Sequence, residues 1–373
     1  MHRTRNTRSG RRKFIKGVVA LGACPITRQI PWLDVPPAYA AASSSDSRTP
    51  PESDSPNDDP LPYRIFAPLV AAGEIPQEPR GPSKLGLHTI NSIGAVDFVQ
   101  DVHEDEAHVA IVKAVDEFGF LRLVKEYSPE TLTIGRSTAV QGVSAEGDPA
   151  QKAEWVINQH MPRWAFEKDV VDYWEVLNEN DPPSVAGHAW LAQFHIEAMA
   201  IAEENGYKLA LFSYSTGVPE PEEWEAIAGT GVFARAQQGG HILALHEYAW
   251  PTMDYLWGVP FEGQPTYPDR GLLAVRYRYL YEDILIPNNQ VIPLAITECG
   301  LDPMLRQPGQ PTGDWMDRFV AEMTWYDTHL REDDYVLGAA MFTTGGGGTT
   351  WSDYDFTELL PDFRDYIVSL KND

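Results

Sequence analysis

Eight short apolar runs, set apart by longer stretches of helical periodicity, narrow the fold of this chain more than any other feature. The runs occupy 84–90, 109–115, 131–137, 173–178, 208–214, 241–248, 292–298 and 336–342. Each is brief and nearly continuous in its apolar residues. That is the pattern of a strand covered on both faces rather than of one with a wet side. Between the runs, Trp190, Leu191, Phe194, Ala198, Ile201 and Ala202 follow helical spacing, as do Trp315, Phe319, Val320 and Met323. Asp181-Pro182-Pro183 and Val218-Pro219 mark places where a strand cannot continue. Eight β–α alternations predict an α/β fold, a single (β/α)8 TIM barrel, over residues 62–373. A doubly wound open sheet would call for a Gly-rich phosphate loop after the first strand, and none follows it here.

In such barrels the chemistry sits at the C-terminal ends of the strands. The fourth run ends Trp174-Glu175-Val176-Leu177-Asn178-Glu179-Asn180, and the seventh ends Leu294-Ala295-Ile296-Thr297-Glu298-Cys299-Gly300. Read singly, each Glu is equally a helix cap, because acidic residues are favoured there. Together they match what glycosidic cleavage needs. One carboxyl protonates the leaving oxygen, and a second attacks the anomeric carbon or activates water there. The fourth and seventh strands face each other across a barrel mouth, so the two groups are expected at about 5–5.5 Å, the separation of a retaining mechanism. Their surroundings must then drive the two pKa values apart.

The Asn178-Glu179 pair with Glu298 resembles the glycoside hydrolases of clan A, such as families 5 and 39, over about residues 84–370. The resemblance implies Glu179 as acid/base, Glu298 as nucleophile and Asn178 as ligand of the sugar 2-hydroxyl. It also implies that Tyr248 hydrogen-bonds the nucleophile and that His246 touches substrate. Period two sends His246, Tyr248 and Trp250 to one side of the sixth strand, so all three are candidate cleft residues. His88 and Asn91, at the end of the first strand, are candidate sugar ligands, as is Tyr214 at the end of the fifth. Arg136 and Lys113 are each placed to hold the nucleophile by a charged hydrogen bond. Here the chain departs from family 5, where an Arg is expected at the end of the second strand. Clan members usually offer a Trp at the end of the eighth strand as a sugar platform, and here Phe342 or Trp351 must serve.

Other chemistries find less support. A metal-dependent barrel hydrolase usually needs His-x-His on the first strand, and Leu87-His88-Thr89 offers one His. A magnesium site needs carboxylates ending strands three to five, where Arg136 and Tyr214 stand. No metal or other cofactor is therefore expected. A non-catalytic carbohydrate-binding barrel would be free to lose a carboxylate, but this chain keeps both. A transglycosidase would use the same residues and stays open. Formal net charge is −25, which repels nucleic acid and anionic lipid and is compatible with a neutral oligo- or polysaccharide, which the resemblance to clan A implies is β-linked. Cys299, beside the proposed nucleophile, reads as a buried structural residue.

The first forty residues read as an export signal. Ser9-Gly10-Arg11-Arg12-Lys13-Phe14 resembles a twin-arginine motif, the apolar stretch over 17–26 is too short to span a bilayer, and Ala38-Tyr39-Ala40 suits cleavage. Leu21-Gly22-Ala23-Cys24 also resembles a lipobox, an alternative that would make Cys24 a lipid anchor. Residues 41–61 are dominated by Ser, Asp and Pro and read as a disordered tether.

Overall fold

The computed structural model describes residues 81–307, 310 and 315–373. The expected export signal, the tether and Cys24 lie outside them. Eight strands close a barrel in sequence order, every neighbouring pair parallel. They are β1 (Leu85–Thr89), β2 (Ile111–Val115), β3 (Leu132–Arg136), β4 (Tyr173–Glu175), β5 (Leu209–Tyr214), β6 (Ile242–Ala249), β7 (Leu294–Leu301) and β8 (Val336–Thr344). Each falls on one of the eight apolar runs.

Helices connect the strands. Helix Pro149–Trp164 starts where the Asp148 side chain accepts from the Ala150 N–H, and helix Val185–Glu204 where Ser184 accepts from the Gly187 N–H, both satisfying donors that a helix start leaves free. Helix Val185–Glu204 buries Leu191, Phe194, Ala198 and Ala202 of the predicted face. Helix Met316–Leu330 likewise buries Phe319 and Met323. No helix among the described residues is long and apolar enough to cross a membrane.

The barrel interior changes character along its axis. Ile111, Ile134, Ala210, Ile242, Ala244, Ala295 and Ala340 form one buried cluster, with Leu132, Tyr173 and Leu337 packed on it. Burying each Ile there contributes on the order of 2–3 kcal/mol. Gly86 keeps the wall close, since a Cβ on it would clash with the Ile111 carbonyl oxygen. In a strand, residues i and i+2 share a face. Two residues on from Ile111, Ile134, Tyr173 and Ala244 come Lys113, Arg136, Glu175 and His246, all buried. Charges taken out of water in this way are tolerated only when paired, so this layer must be an ionic network.

The strand ends nearest the two proposed carboxylates differ most from the sequence reading. β4 stops at Glu175, short of the expected 178. The chain beyond it is held by ties to neighbouring elements instead: the Asn178 N–H donates to the Gln141 carbonyl at 2.8 Å and the Glu179 N–H to that of Ser213 at 2.9 Å. Glu179 takes a left-handed φ of 47°, a conformation uncommon for a side chain of its kind. β7 runs past Glu298 to Leu301, so Glu298 is carried within a strand.

Candidate active site

Glu298 lies at the centre of the ionic layer. Its Oε1 is 3.0 Å from Lys113 Nζ, 3.5 Å from Arg136 Nη1 and 3.6 Å from His88 Nε2. Its Oε2 accepts from the Tyr248 hydroxyl at 2.9 Å. Burial pushes this carboxyl up, but His246, Lys113, Arg136 and His88 together outweigh it and hold the group well below the usual carboxylate range. Glu298 is therefore ionised at neutral pH. Burial, with Glu298 and Glu179 adding to it, drives the Tyr248 phenol well above its ordinary range, so it remains a donor. Burial also holds the His88 imidazole well below its usual range, against the pull of Glu298.

Glu179 approaches from the loop after β4. Its Oε1 is 3.1 Å from His246 Nδ1, and the same nitrogen is 3.6 Å from Glu298 Oε2. One oxygen of each glutamate and this ring nitrogen all lie within 4.8 Å of one another. The ladder accounts for the meeting, because His246 and Glu298 are Cα partners across β6 and β7 just beyond a register shift. The side chain of Glu179 is 21% exposed, against 8% for Glu298, so one carboxyl opens to the cleft while the other is enclosed by donors. Three such atoms are close enough to hold a cation. Lys113 and Arg136 beside Glu298 oppose a further positive charge there, and no metal is assigned.

Comparison with known proteins adds the fold's company. No protein-family model matches the chain, and no curated protein matches its sequence. Solved structures do. The chain is similar to a glycoside hydrolase family 5 enzyme from Prevotella bryantii, at 13% identity and a TM-score of 0.41, over 78% of this chain and 96% of that one. It is similar to a β-mannanase from Thermomonospora fusca, solved with mannohexaose, at 16% and 0.41, over 73% and 82%. It is similar also to a family 39 glycoside hydrolase from Bacteroides cellulosilyticus, at 10% and 0.49, over 77% and 64%. Identities this low leave the chemistry to be read from the side chains.

Of the residues singled out in the sequence, the structure gathers Glu179, Glu298, His246, Tyr248, Lys113, Arg136 and His88 into one cluster. Phe342 borders it, its ring centroid 4.6 Å from that of His88 and 6.1 Å from that of Tyr248. Trp351 stands edge-on to Phe342 at 5.1 Å and is partly exposed. The side-chain oxygen of Asn178 is buried with no hydrogen-bond partner among the described residues, which leaves it available to a ligand hydroxyl.

Three candidates lie elsewhere. Tyr214 is fully buried, stacked on Phe212 and edge-on to Trp224, with its hydroxyl 2.9 Å from His188 Nδ1. β5 carries a register shift between Phe212 and Tyr214, and Phe212 and Ser213 both have positive φ. This bulge breaks the period-two count and turns Ser213 towards Glu175 in place of Tyr214. Asn91 is a tie between loops, its amide donating to the Gly345 carbonyl at 2.6 Å and its oxygen accepting from the Ile93 N–H at 3.0 Å. Trp250 lies beyond the end of β6 and is 1% exposed, with the Arg318 guanidinium 5.9 Å from its ring. It offers no open platform.

Sequence reasoning missed Glu175, Asp302 and Tyr354. Glu175 is fully buried 2.7 Å from Lys113 Nζ, and its signal was a charged residue inside an apolar run. Asp302 follows β7 and accepts from the Tyr354 hydroxyl at 2.6 Å. Tyr354 lies 5.6 Å from Phe342 and 6.0 Å from Trp351, completing an aromatic group at the mouth. No local pattern marks these two.

Cys299 is buried and free. Burial, with Glu247, Glu298 and Asp327 adding to it, lifts its thiol well above the ordinary range, so it is not a nucleophile.

Proposed function

We propose that this protein is a retaining glycoside hydrolase acting on a neutral β-linked glycan, with Glu298 as nucleophile and Glu179 as acid/base. The observation that carries the reading is the meeting of the two carboxylates at His246 Nδ1, with one oxygen of each inside a 4.8 Å group. So close an approach of two oxygens supports the shorter carboxyl separation of a retaining enzyme, about 5–5.5 Å, over the roughly 6.5–9.5 Å of an inverting one. The division of roles follows from surroundings. Glu298, ringed by Lys113, Arg136 and Tyr248, is kept as an anion ready to attack. Glu179, more open and in contact with His246, is placed to give the leaving oxygen its proton and later to take one from water.

Asn178 is proposed to hold the 2-hydroxyl of the sugar under attack, and Phe342, Trp351 and Tyr354 to line the path of the glycan. The cations of the site, Lys113 and Arg136, already face Glu298, and Lys113 also Glu175. This supports a neutral sugar over an anionic one. Transfer to a sugar hydroxyl in place of water would use the same intermediate, and product analysis at high acceptor concentration separates the two outcomes.

The test is a screen of aryl β-glycosides and polysaccharides with the anomer of the first product read by proton NMR. Retention of configuration on any active substrate supports the proposal, and inversion refutes it. We propose further that the protein works outside the cytoplasm. Cell fractionation of the full chain against an R11K/R12K variant, which should be retained inside, tests this.

A further inference from the structure

Lys113 serves two carboxylates at once. Its Nζ is 2.7 Å from Glu175 Oε2 and 3.0 Å from Glu298 Oε1, and the side chains of Lys113 and Glu175 are wholly buried. Ser213 Oγ donates to the other oxygen of Glu175 at 2.9 Å, and Glu175 is the Cα partner of Arg136 in the ladder. Burial opposes the charge on Glu175, but Lys113, Arg136 and His246 outweigh it and keep the carboxyl ionised.

These two carboxylates have different fates in the reaction proposed above, on which the inference rests. When Glu298 attacks, a lone pair of its carboxylate becomes the bond to the anomeric carbon. The bond to the leaving oxygen breaks, its electron pair goes to that oxygen, and that oxygen receives the proton of Glu179. Glu298 is then a neutral ester. A buried ammonium stripped of its counter-charge is strongly disfavoured, and Lys113 has no access to water. Among the described residues Glu175 alone remains in contact with it as an anion.

We propose that Glu175 is a positioning residue, the permanent counter-ion of Lys113, which lets Glu298 alternate between carboxylate and ester without stranding a buried cation. The consequence has a sign. Without the charge on Glu175, forming the ester becomes harder. Breaking it becomes easier, because the released carboxylate restores an anion beside Lys113. A residue that merely shaped the pocket would slow both steps when altered.

The experiment isolates the two steps with 2,4-dinitrophenyl 2-deoxy-2-fluoro-β-glycosides of the gluco, galacto and manno series. The trapping rate reports ester formation, and the reactivation rate of the purified trapped enzyme reports its breakdown. Mass analysis of the labelled peptide confirms attachment at Glu298. E175Q is expected to trap about 10- to 100-fold more slowly and to reactivate several-fold faster than wild type. E175D, which keeps the anion but draws it back from Lys113, should give the same split at smaller size, and it carries the test if E175Q does not fold. Trapping and reactivation both slowed, or both unchanged, in the folded variants overturns this inference alone. Failure of the wild type to be trapped by any of the three probes overturns the glycosidase reading and this inference with it.

Discussion

The hydroxyl of Tyr248 donates to Oε2 of Glu298 across 2.9 Å. The bond opposes two demands, since it steadies the carboxylate in the line of attack and also stabilises the anion that must give up its charge. Y248F keeps the ring against Phe342 and removes only the donor. It should lower kcat/KM by about 10- to 100-fold with little change in melting temperature. Steady-state rates on an aryl glycoside beside a thermal scan check this. A fall in stability with unaltered rates would assign the hydroxyl to the fold instead.

The two glutamates should fail in different ways. E298Q leaves no anion to attack and should lose activity on the order of 10⁴-fold or more. E179A should lose less on substrates whose leaving group needs no proton. Azide fits the space vacated by the carboxylate and should restore turnover, giving a β-glycosyl azide that mass spectrometry identifies. If azide rescues E298A to a β-product and leaves E179A unaffected, the roles are reversed.

Glu247 and Asp327 should contribute less to stability as pH rises. Burial raises Glu247 to about 7, against hydrogen bonds from Tyr326 and the Val275 and Tyr277 N–H groups. Burial likewise raises Asp327 to about 6. Both lie above the unfolded values of about 4. Between about pH 4 and 7 these two carboxyls therefore hold protons that the unfolded chain has released, and their contribution to stability falls as pH rises through that window, while the buried imidazoles of His88 and His195, held below their usual range, contribute in the opposite sense. At lower pH the sign reverses. Glu203, held at about 2 by hydrogen bonds from Arg235 and His241, contributes stability that is lost as acid protonates it. Thermal unfolding from pH 5 to pH 8 should show wild type losing stability relative to D327N as pH rises. A difference between the two that does not change with pH contradicts the assignment.

How much of this was legible in the sequence depends on whether a strand kept its alternation. β6 does as far as Tyr248, and His246 and Tyr248 appear where counting by twos puts them. β5 does not, because the left-handed backbone at Phe212 and Ser213 turns Tyr214 away and Ser213 inward. Glu179 and Glu298 were legible as acids at strand ends, although one sits in a loop and the other within a strand. Glu175 was hidden because its role depends on Lys113, distant in sequence and adjacent only once the barrel closes. Asp302 and Tyr354 meet through loops, where no periodicity operates.

The aromatic group at the mouth bears on binding more than on chemistry. Trp351 is partly exposed and stands against Phe342, which in turn packs on His88 of the ionic layer. W351A should raise KM for oligosaccharides about tenfold, the loss of one sugar–ring contact, while leaving kcat within about threefold. Comparison of a short aryl glycoside with a longer oligosaccharide distinguishes the cases. Equal effects on both would place Trp351 against the sugar under attack, and an effect confined to kcat would refute a platform role.

Below the ionic layer the barrel is plugged with hydrocarbon from Ile111, Ile134, Ala244 and their neighbours. Small molecules are thus kept out from that side. In the proposed mechanism an acceptor, whether solvent or another saccharide, comes to Glu298 from the side of the loops, as the first product leaves by it. The traffic between the two is governed at the rim, and a change of outcome from cleavage to synthesis should be sought among the loops around Trp351 and Asp302, with the staves of the barrel left as they are.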